Sequence, residues 1–277
     1  MSRSWLSAAR LPHVGALRDM LQRESHDILL APYRVEFTQH RSGQPPQRLI
    51  LECESDAIGT WQPALATLIA GLKQLAWSKA VVRVRLSNHF VRYALVPTLT
   101  RLRNREERLA AARHHLSAIY GERAERWQVA LNESGRANTA IAAGTDQELM
   151  QQLVTSMAGA QLELLAVEPL VAAEFNALRR EIGKAPTWFS VAEPGRIALA
   201  YLENQAWRFL YAERLRGNLA DELRPLLERT QVTNGVQPGR VLLVSDDAPR
   251  VELSNSAGWS LDWRRFGTAP DAAQAMQ

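Results

Sequence analysis

The residues of this 277-residue chain able to move protons, hold metals or attack substrates are few and scattered. His114 and His115 are neighbours in a helical pattern, which sets their side chains about 100° apart, so they do not chelate one ion as an i, i+4 pair does. They read as solvated helix-face residues. His89, beside Phe90 and Tyr93, reads either as a turn or core histidine or as a partner contact. Asp246 and Asp247 end an apolar strand and have the donor type for Mg²⁺ or for acid and base work. No second carboxylate cluster or glycine loop supports them, which favours loop capping. Cys53 sits in an apolar strand, the setting of an inert packed thiol. G-x-S-x-G, G-x-G-x-x-G, G-x-x-x-x-G-K-[ST] and H-E-x-x-H are all absent. No catalytic residue, metal-ligand set or cofactor is expected, and the reading points to binding rather than transformation.

Composition narrows the class further. A single cysteine excludes an internal disulfide and fits a reducing compartment. Arg3, Arg10, Arg18, Arg23 and Pro12 interrupt the first residues, so no export signal is read, and no run of about 18 apolar residues marks a membrane span. The Asn132-Glu133-Ser134 sequon is then without consequence. The formal charge of +4 comes from basic residues interleaved with acidic ones, as in Arg105-Glu106-Glu107-Arg108, the pattern of solvated helix faces rather than of a nucleic-acid stripe. Trp188, Trp207, Trp259 and Trp263 lie in or beside strands without basic interleaving and read as core.

The elements that must position these residues follow from periodicity and punctuation. Asp27 to Phe37 and Gln47 to Cys53 read as two or three antiparallel strands around the turn-rich segment Arg41 to Pro46. Leu65, Leu68, Ile69, Leu72 and Leu75 give Trp61 to Trp77 one apolar helical face. Ala80 to Val96 reads as two strands around Ser87-Asn88-His89. Asn104 to Tyr120 is a helix stopped by Gly121. Short strands are expected at Trp127 to Leu131 and Asn138 to Ala143, a helix capped by Asp146 up to Met157, a strand from Leu162 and a helix from Pro169. Gly183-Lys184-Ala185-Pro186 marks a lobe junction. A three-strand meander over Thr187 to Ala212 follows, then a helix kinked by Pro225 and the strand Arg240 to Val244.

In this order the elements resemble the pilus-assembly branch of the actin-like superfamily. That branch comprises the cytoplasmic actin-like proteins of type IV pilus assembly and of mannose-sensitive haemagglutinin pilus biogenesis, and the cytoplasmic part of the type II secretion L protein. Leu86-Ser87-Asn88-His89-Phe90-Val91-Arg92-Tyr93-Ala94-Leu95-Val96-Pro97 is similar to the strand pair preceding the inserted subdomain there, and Ala158 to Leu164 to a helix end running into a strand. The resemblance covers Asp27 to Phe266. It implies an α/β, two-lobed actin-like (ribonuclease H-like) ATPase fold. Residues 1–26 form an N-terminal segment, 27–183 lobe one with an insert at about 98–143, 184–266 lobe two, and 267–277 a disordered tail.

The resemblance also implies phosphate-cradling turns of the Asp-x-Gly type, from which the chain departs. Asp27-Ile28-Leu29 is expected at the first, Glu193-Pro194-Gly195-Arg196 at the second, and Ser245-Asp246-Asp247-Ala248-Pro249 where adenosine would lie. Proline removes an amide donor and carboxylates repel phosphate, so the nucleotide site is expected to be degenerate. The implied function is a non-catalytic cytoplasmic scaffold, peripheral to the inner membrane, that recruits the short cytoplasmic tail of an inner-membrane assembly protein. The tail is expected in a groove flanked by His89, Arg92, Tyr93, Arg113 and Tyr120. A divergent actin-like ATPase of the same machinery and a basic nucleic-acid-binding accessory protein are the alternatives.

Overall fold

The computed structural model describes residues 25–40, 44–54, 60–75, 77, 80–97, 102, 104–133, 139–204, 206–248, 253 and 258–267. The expected N-terminal segment and C-terminal tail lie almost wholly outside the described residues. Among the described residues thirteen strands form three sheets. Sheet one joins β1 (Ser25–Leu30), β2 (Arg34–His40), β3 (Gln47–Glu52), β4 (Val81–Leu86) and β8 (Glu163–Pro169) in the order β3-β2-β1-β4-β8. Sheet two joins β9 (Thr187–Glu193), β10 (Arg196–Glu203), β11 (Ala206–Arg214), β12 (Arg240–Ser245) and β13 (Ser260–Arg265) in the order β11-β10-β9-β12-β13. In each, an antiparallel meander continues into two parallel strands, so the lobes repeat one topology. The β1–β2 turn is therefore the counterpart of the β9–β10 turn.

The third sheet, in the order β5-β7-β6, is the insert, with β5 (Val91–Pro97), β6 (Trp127–Glu133) and β7 (Thr139–Asp146) all antiparallel. Its first strand starts at Val91, earlier than the boundary expected near residue 98. The two strands around Ser87-Asn88-His89 are thus not partners. β4 pairs with β1 and β8, whereas β5 pairs with β7, and the Ser-Asn-His turn is where the chain leaves one sheet for another.

The helices follow their apolar faces. α1 (Gln62–Leu75) buries Leu65, Leu68 and Leu72, and Gly71 lets it sit close, since a Cβ there would lie 2.5 Å from the Phe37 ring. α2 (Arg105–Tyr120) is capped by Asn104 and stopped by Gly121 at φ 73°. α3 (Gln147–Gly159) is capped by Asp146, whose side chain accepts from the Glu148 N–H. α4 (Leu170–Ile182) follows β8, and α5 (Leu219–Asn234) continues through Pro225.

Three clusters of buried side chains hold these layers. The largest runs from sheet one across α4 to Phe189, Val191, Ala198, Ala200 and Leu210 on the near face of sheet two. Alternate residues such as Trp188, Ile197 and Leu199 pack with α5 on the far face, because neighbouring side chains of a strand point opposite ways. The insert has its own cluster around Ala112, Leu116 and Ala142. Among the described residues no helix is long and apolar enough to cross a membrane.

Candidate functional site

The β1–β2 turn (residues 31–33), the β9–β10 turn (194–195), the N-terminus of α5 and the end of β12 face one another across a cleft of about 910 Å³ between the lobes. Its walls carry Glu36, Glu52, Glu193, Asp221, Asp246 and Asp247 against only Arg34, Arg48 and Arg265. The first hairpin turn is Ala31-Pro32-Tyr33, which corrects the expectation of Asp27-Ile28-Leu29. Those residues lie inside β1, because the strand runs to Leu30 before the chain reverses.

The cleft is spanned by the chain's own groups. Glu193 is 3% exposed, its Oε2 accepts the Asn88 backbone N–H at 2.8 Å, and the Tyr33 hydroxyl donates to its Oε1 at 3.5 Å. Burial pushes the Glu193 carboxyl up, against hydrogen bonds from Ser87 and Asn88 that hold it down. Burial, with the Glu193 charge added, also pushes the Tyr33 phenol far up, so it stays a donor. Pro194 supplies a carbonyl, which the His89 Nε2–H meets at 2.9 Å. Gly195, at φ 72°, lets the chain turn against the His89 ring. Burial above all, with Arg196, Arg92 and Arg214 nearby, pushes His89 down to about 4, so the ring is neutral at physiological pH. On the open side, Arg34 bonds Asp246 at 2.9 Å.

Three features of this cleft work against an anion. Proline stands in both hairpin turns and removes an amide donor from each. The α5 N-terminus is closed by its own side chains: Asn218 accepts the Asp221 N–H at 2.9 Å, and Glu222 accepts from the Gly217 N–H. Carboxylates outnumber arginines on the walls, so a phosphate would meet net negative charge.

The five residues expected to flank a partner groove divide. His89 and Tyr93 are 3% and 2% exposed, so they do not stand out from an open surface, although Tyr93 lines the crease described below. Tyr93 donates to Asn88 Oδ1 at 2.7 Å and so braces the turn that holds Glu193. Tyr120 is half-buried and donates to the Tyr93 carbonyl at 2.8 Å. Arg92 is half-buried, its guanidinium donating to the carbonyls of His89 and Val91, each at 2.9 Å. Arg113 is exposed on α2. The structure thus brings His89, Arg92, Tyr93 and Tyr120 into one network. Sequence reasoning missed Tyr33 and the carboxylate of Glu193 as its lobe-crossing members.

A second recess lies between the insert, α4 and β11. This narrow crease of about 50 Å³ is lined by Ile141, Ala143, Phe175, Asn176, Trp207 and Leu210, with Tyr93 in its floor. The Phe175 and Trp207 rings lie 4.6 Å apart. Its volume suits single side chains of an extended peptide rather than a metabolite. Among the described residues no group of three or more His, Cys, Asp or Glu side chains is arranged to hold a metal.

No protein-family profile matches the chain, and no curated protein matches its sequence. Solved structures do. A Bacteroides thetaiotaomicron protein with actin-like ATPase fold and unknown function superposes with a TM-score of 0.63 at 12% identity, over 92% of this chain and 95% of that one. The cytoplasmic domain of EpsL, an inner-membrane component of the type II secretion system of Vibrio cholerae, gives 0.57 at 14% identity, over 87% and 90%. The PilM–PilN type IV pilus biogenesis complex gives 0.55 at 16% identity, over 80% and 81%. With the repeated five-stranded topology and the three-stranded insert, these likenesses establish that the chain has the actin-like fold.

Proposed function

We propose that this protein is a non-catalytic, cytoplasmic actin-like scaffold, held at the inner membrane by a partner whose cytoplasmic tail it binds, in a type IV pilus or type II secretion-like assembly. The observation that carries the reading is that the turns lining the cleft are tied up by the chain's own groups. Where the fold would cradle a nucleotide, the Glu193 carboxylate fills the Ser87–Asn88 turn and the Arg34–Asp246 pair bridges the lobes. A group that must bind and release phosphate needs free backbone amides there, and these are already satisfied or replaced by proline. The likeness to a secretion-system component and to a pilus complex supports the choice of machinery.

The tail is placed in the aromatic crease between α4 and β11, an apolar slot open to solvent at Asn176. Aromatic floors anchor extended peptides through a few inserted side chains. A photoreactive amino acid at Asn176, in cells, is expected to cross-link to a membrane-anchored protein through its cytoplasmic tail. The same group at exposed Val232, outside the crease, is expected not to. Equal products from both sites, or only soluble products from Asn176, would remove the assignment.

A further inference from the structure

Among the described residues Arg34, Arg85, Arg240 and Arg264 each have a carboxylate partner. One group does not. Arg196 on β10 and Arg214 on β11 are direct cross-strand partners, like charges side by side. Arg92 of β5, the strand packed beside β11, lies within electrostatic reach of Arg196, and Arg123, just beyond α2, lies within reach of Arg92. Among the described residues none of the four is ion-paired. Glu193, opposite Arg196 on β9, lies within its electrostatic reach but turns its oxygens to Asn88 and Tyr33, and Glu213 is held by Arg229 at 2.6 Å. The Arg196 Nε is buried without a hydrogen-bond partner, and its terminal nitrogen reaches only the Ala212 carbonyl, at 3.5 Å.

Like charges directly opposite in a sheet destabilise it, and half-buried cations without counter-charges are costly. Burial first, then repulsion from Arg92, pushes Arg196 down to about 10. An anion from outside the chain would relieve the strain. Its place in the fold indicates which kind. Leu210, Ala212 and Arg214 alternate onto one face of β11, and Leu210 lines the aromatic crease. From Leu210 to Arg214 is about 13 Å along a strand, the reach of about four extended residues. A free phosphate uses only the cations, whereas a peptide uses both the crease and the cations beside it.

We propose that Arg92, Arg196 and Arg214 receive the carboxylates of an acidic stretch, about four residues from the apolar anchor, in the peptide that lies along the β5–β11 seam. This rests on the scaffold reading above and adds the charge of the tail to it. Arginine forks match carboxylates bidentately, so the cluster also fixes the register of the peptide.

The probe is acetylated hexaglutamate, titrated into the whole protein at low salt beside inorganic phosphate. Saturable hexaglutamate binding is expected, weakened by added salt and at least tenfold weaker in the Arg196→Gln, Arg214→Gln double variant. Arg83→Gln, which removes an arginine paired elsewhere, should leave it unchanged. Without ligand, Arg214→Gln alone should raise the melting temperature by about 1 °C or more, since it removes one of two opposed like charges. The proposal is overturned if hexaglutamate does not bind, if the double variant binds it equally, if phosphate binds as tightly, or if Arg214→Gln lowers the melting temperature. Loss of hexaglutamate binding with the Asn176 cross-link intact sinks only the acidic tail. Loss of the cross-link with hexaglutamate binding intact sinks only the scaffold reading.

Discussion

Two regions on either side of the β9–β10 hairpin treat charge in opposite ways. In the cleft, Glu193 and the Arg34–Asp246 pair meet partners from the other lobe and form internal contacts. At the β5–β11 seam, Arg92, Arg196 and Arg214 form no ion pair among the described residues, and Glu193, opposite Arg196 on β9, is hydrogen-bonded to Asn88 instead. Cleft groups satisfied by the chain itself hold the lobes together and have little left for a ligand. Seam groups left unsatisfied are where a ligand gains most, because binding removes a standing repulsion.

The largest test of this contrast is Tyr93→Ala. Removing a buried aromatic that also braces Asn88 should cost about 4 kcal/mol in denaturant unfolding, against about 1 kcal/mol for Tyr93→Phe, which loses the hydroxyl alone. A near-neutral Tyr93→Ala would return Tyr93 to the surface.

Acidification comes next. His89 has a folded pKa near 4, below its ordinary value of 6.5, so its contribution is present above pH 6.5 and is lost as pH falls through 4. The loss by pH 4 is about 3 kcal/mol, from about 1.4 kcal/mol per unit. Glu193, raised, works in the opposite sense: its contribution is greatest at low pH and is lost as pH rises through its folded pKa. Urea midpoints between pH 6.5 and 4 should fall in the wild type and much less in His89→Gln.

Glu193→Ala should cost about 2 kcal/mol, because it strands the buried Asn88 N–H. A stabilised variant would mean that the carboxylate is strained in place for a ligand. Smallest is the Arg34–Asp246 pair. Both partners are partly exposed, at 15% and 34%, so solvent screening holds the coupling in a double-mutant cycle below about 1 kcal/mol.

Much of the fold was legible because it rests on local signals. Asn104 and Asp146 cap helices where their residue types place them, and Glu193-Pro194-Gly195 and Gly121 end elements as their backbone freedom requires. β13 was not read, since Ser260–Arg265 mixes polar, charged and apolar residues without clean alternation and is only half-buried at a sheet edge. That β4 and β5 lie in different sheets was also hidden, because periodicity shows that a strand exists and not which strand it pairs with.

The site was less legible. Glu193 meets Asn88 across 105 positions of chain and Arg34 meets Asp246 across 212, and no local pattern records such pairs. The β9–β10 turn and the β12 end, where the resemblance put the second phosphate turn and adenosine, do line the cleft. The resemblance misplaced the first turn because Asp27 has the residue type of a phosphate turn while lying inside a strand. His89 and Tyr93 were singled out by a motif whose role is to join three sheets.

The central claim, that the turns lining the cleft are tied up by the chain's own groups and hold no nucleotide, is tested most directly by calorimetric titration of the whole protein with Mg-ATP up to millimolar concentration. No saturable heat is expected from the wild type, nor from a Glu193→Gln variant that keeps the turn but removes the negative charge. A dissociation constant in the micromolar range for the wild type, abolished by changes at the β9–β10 turn and untouched by Arg214→Gln, would contradict it.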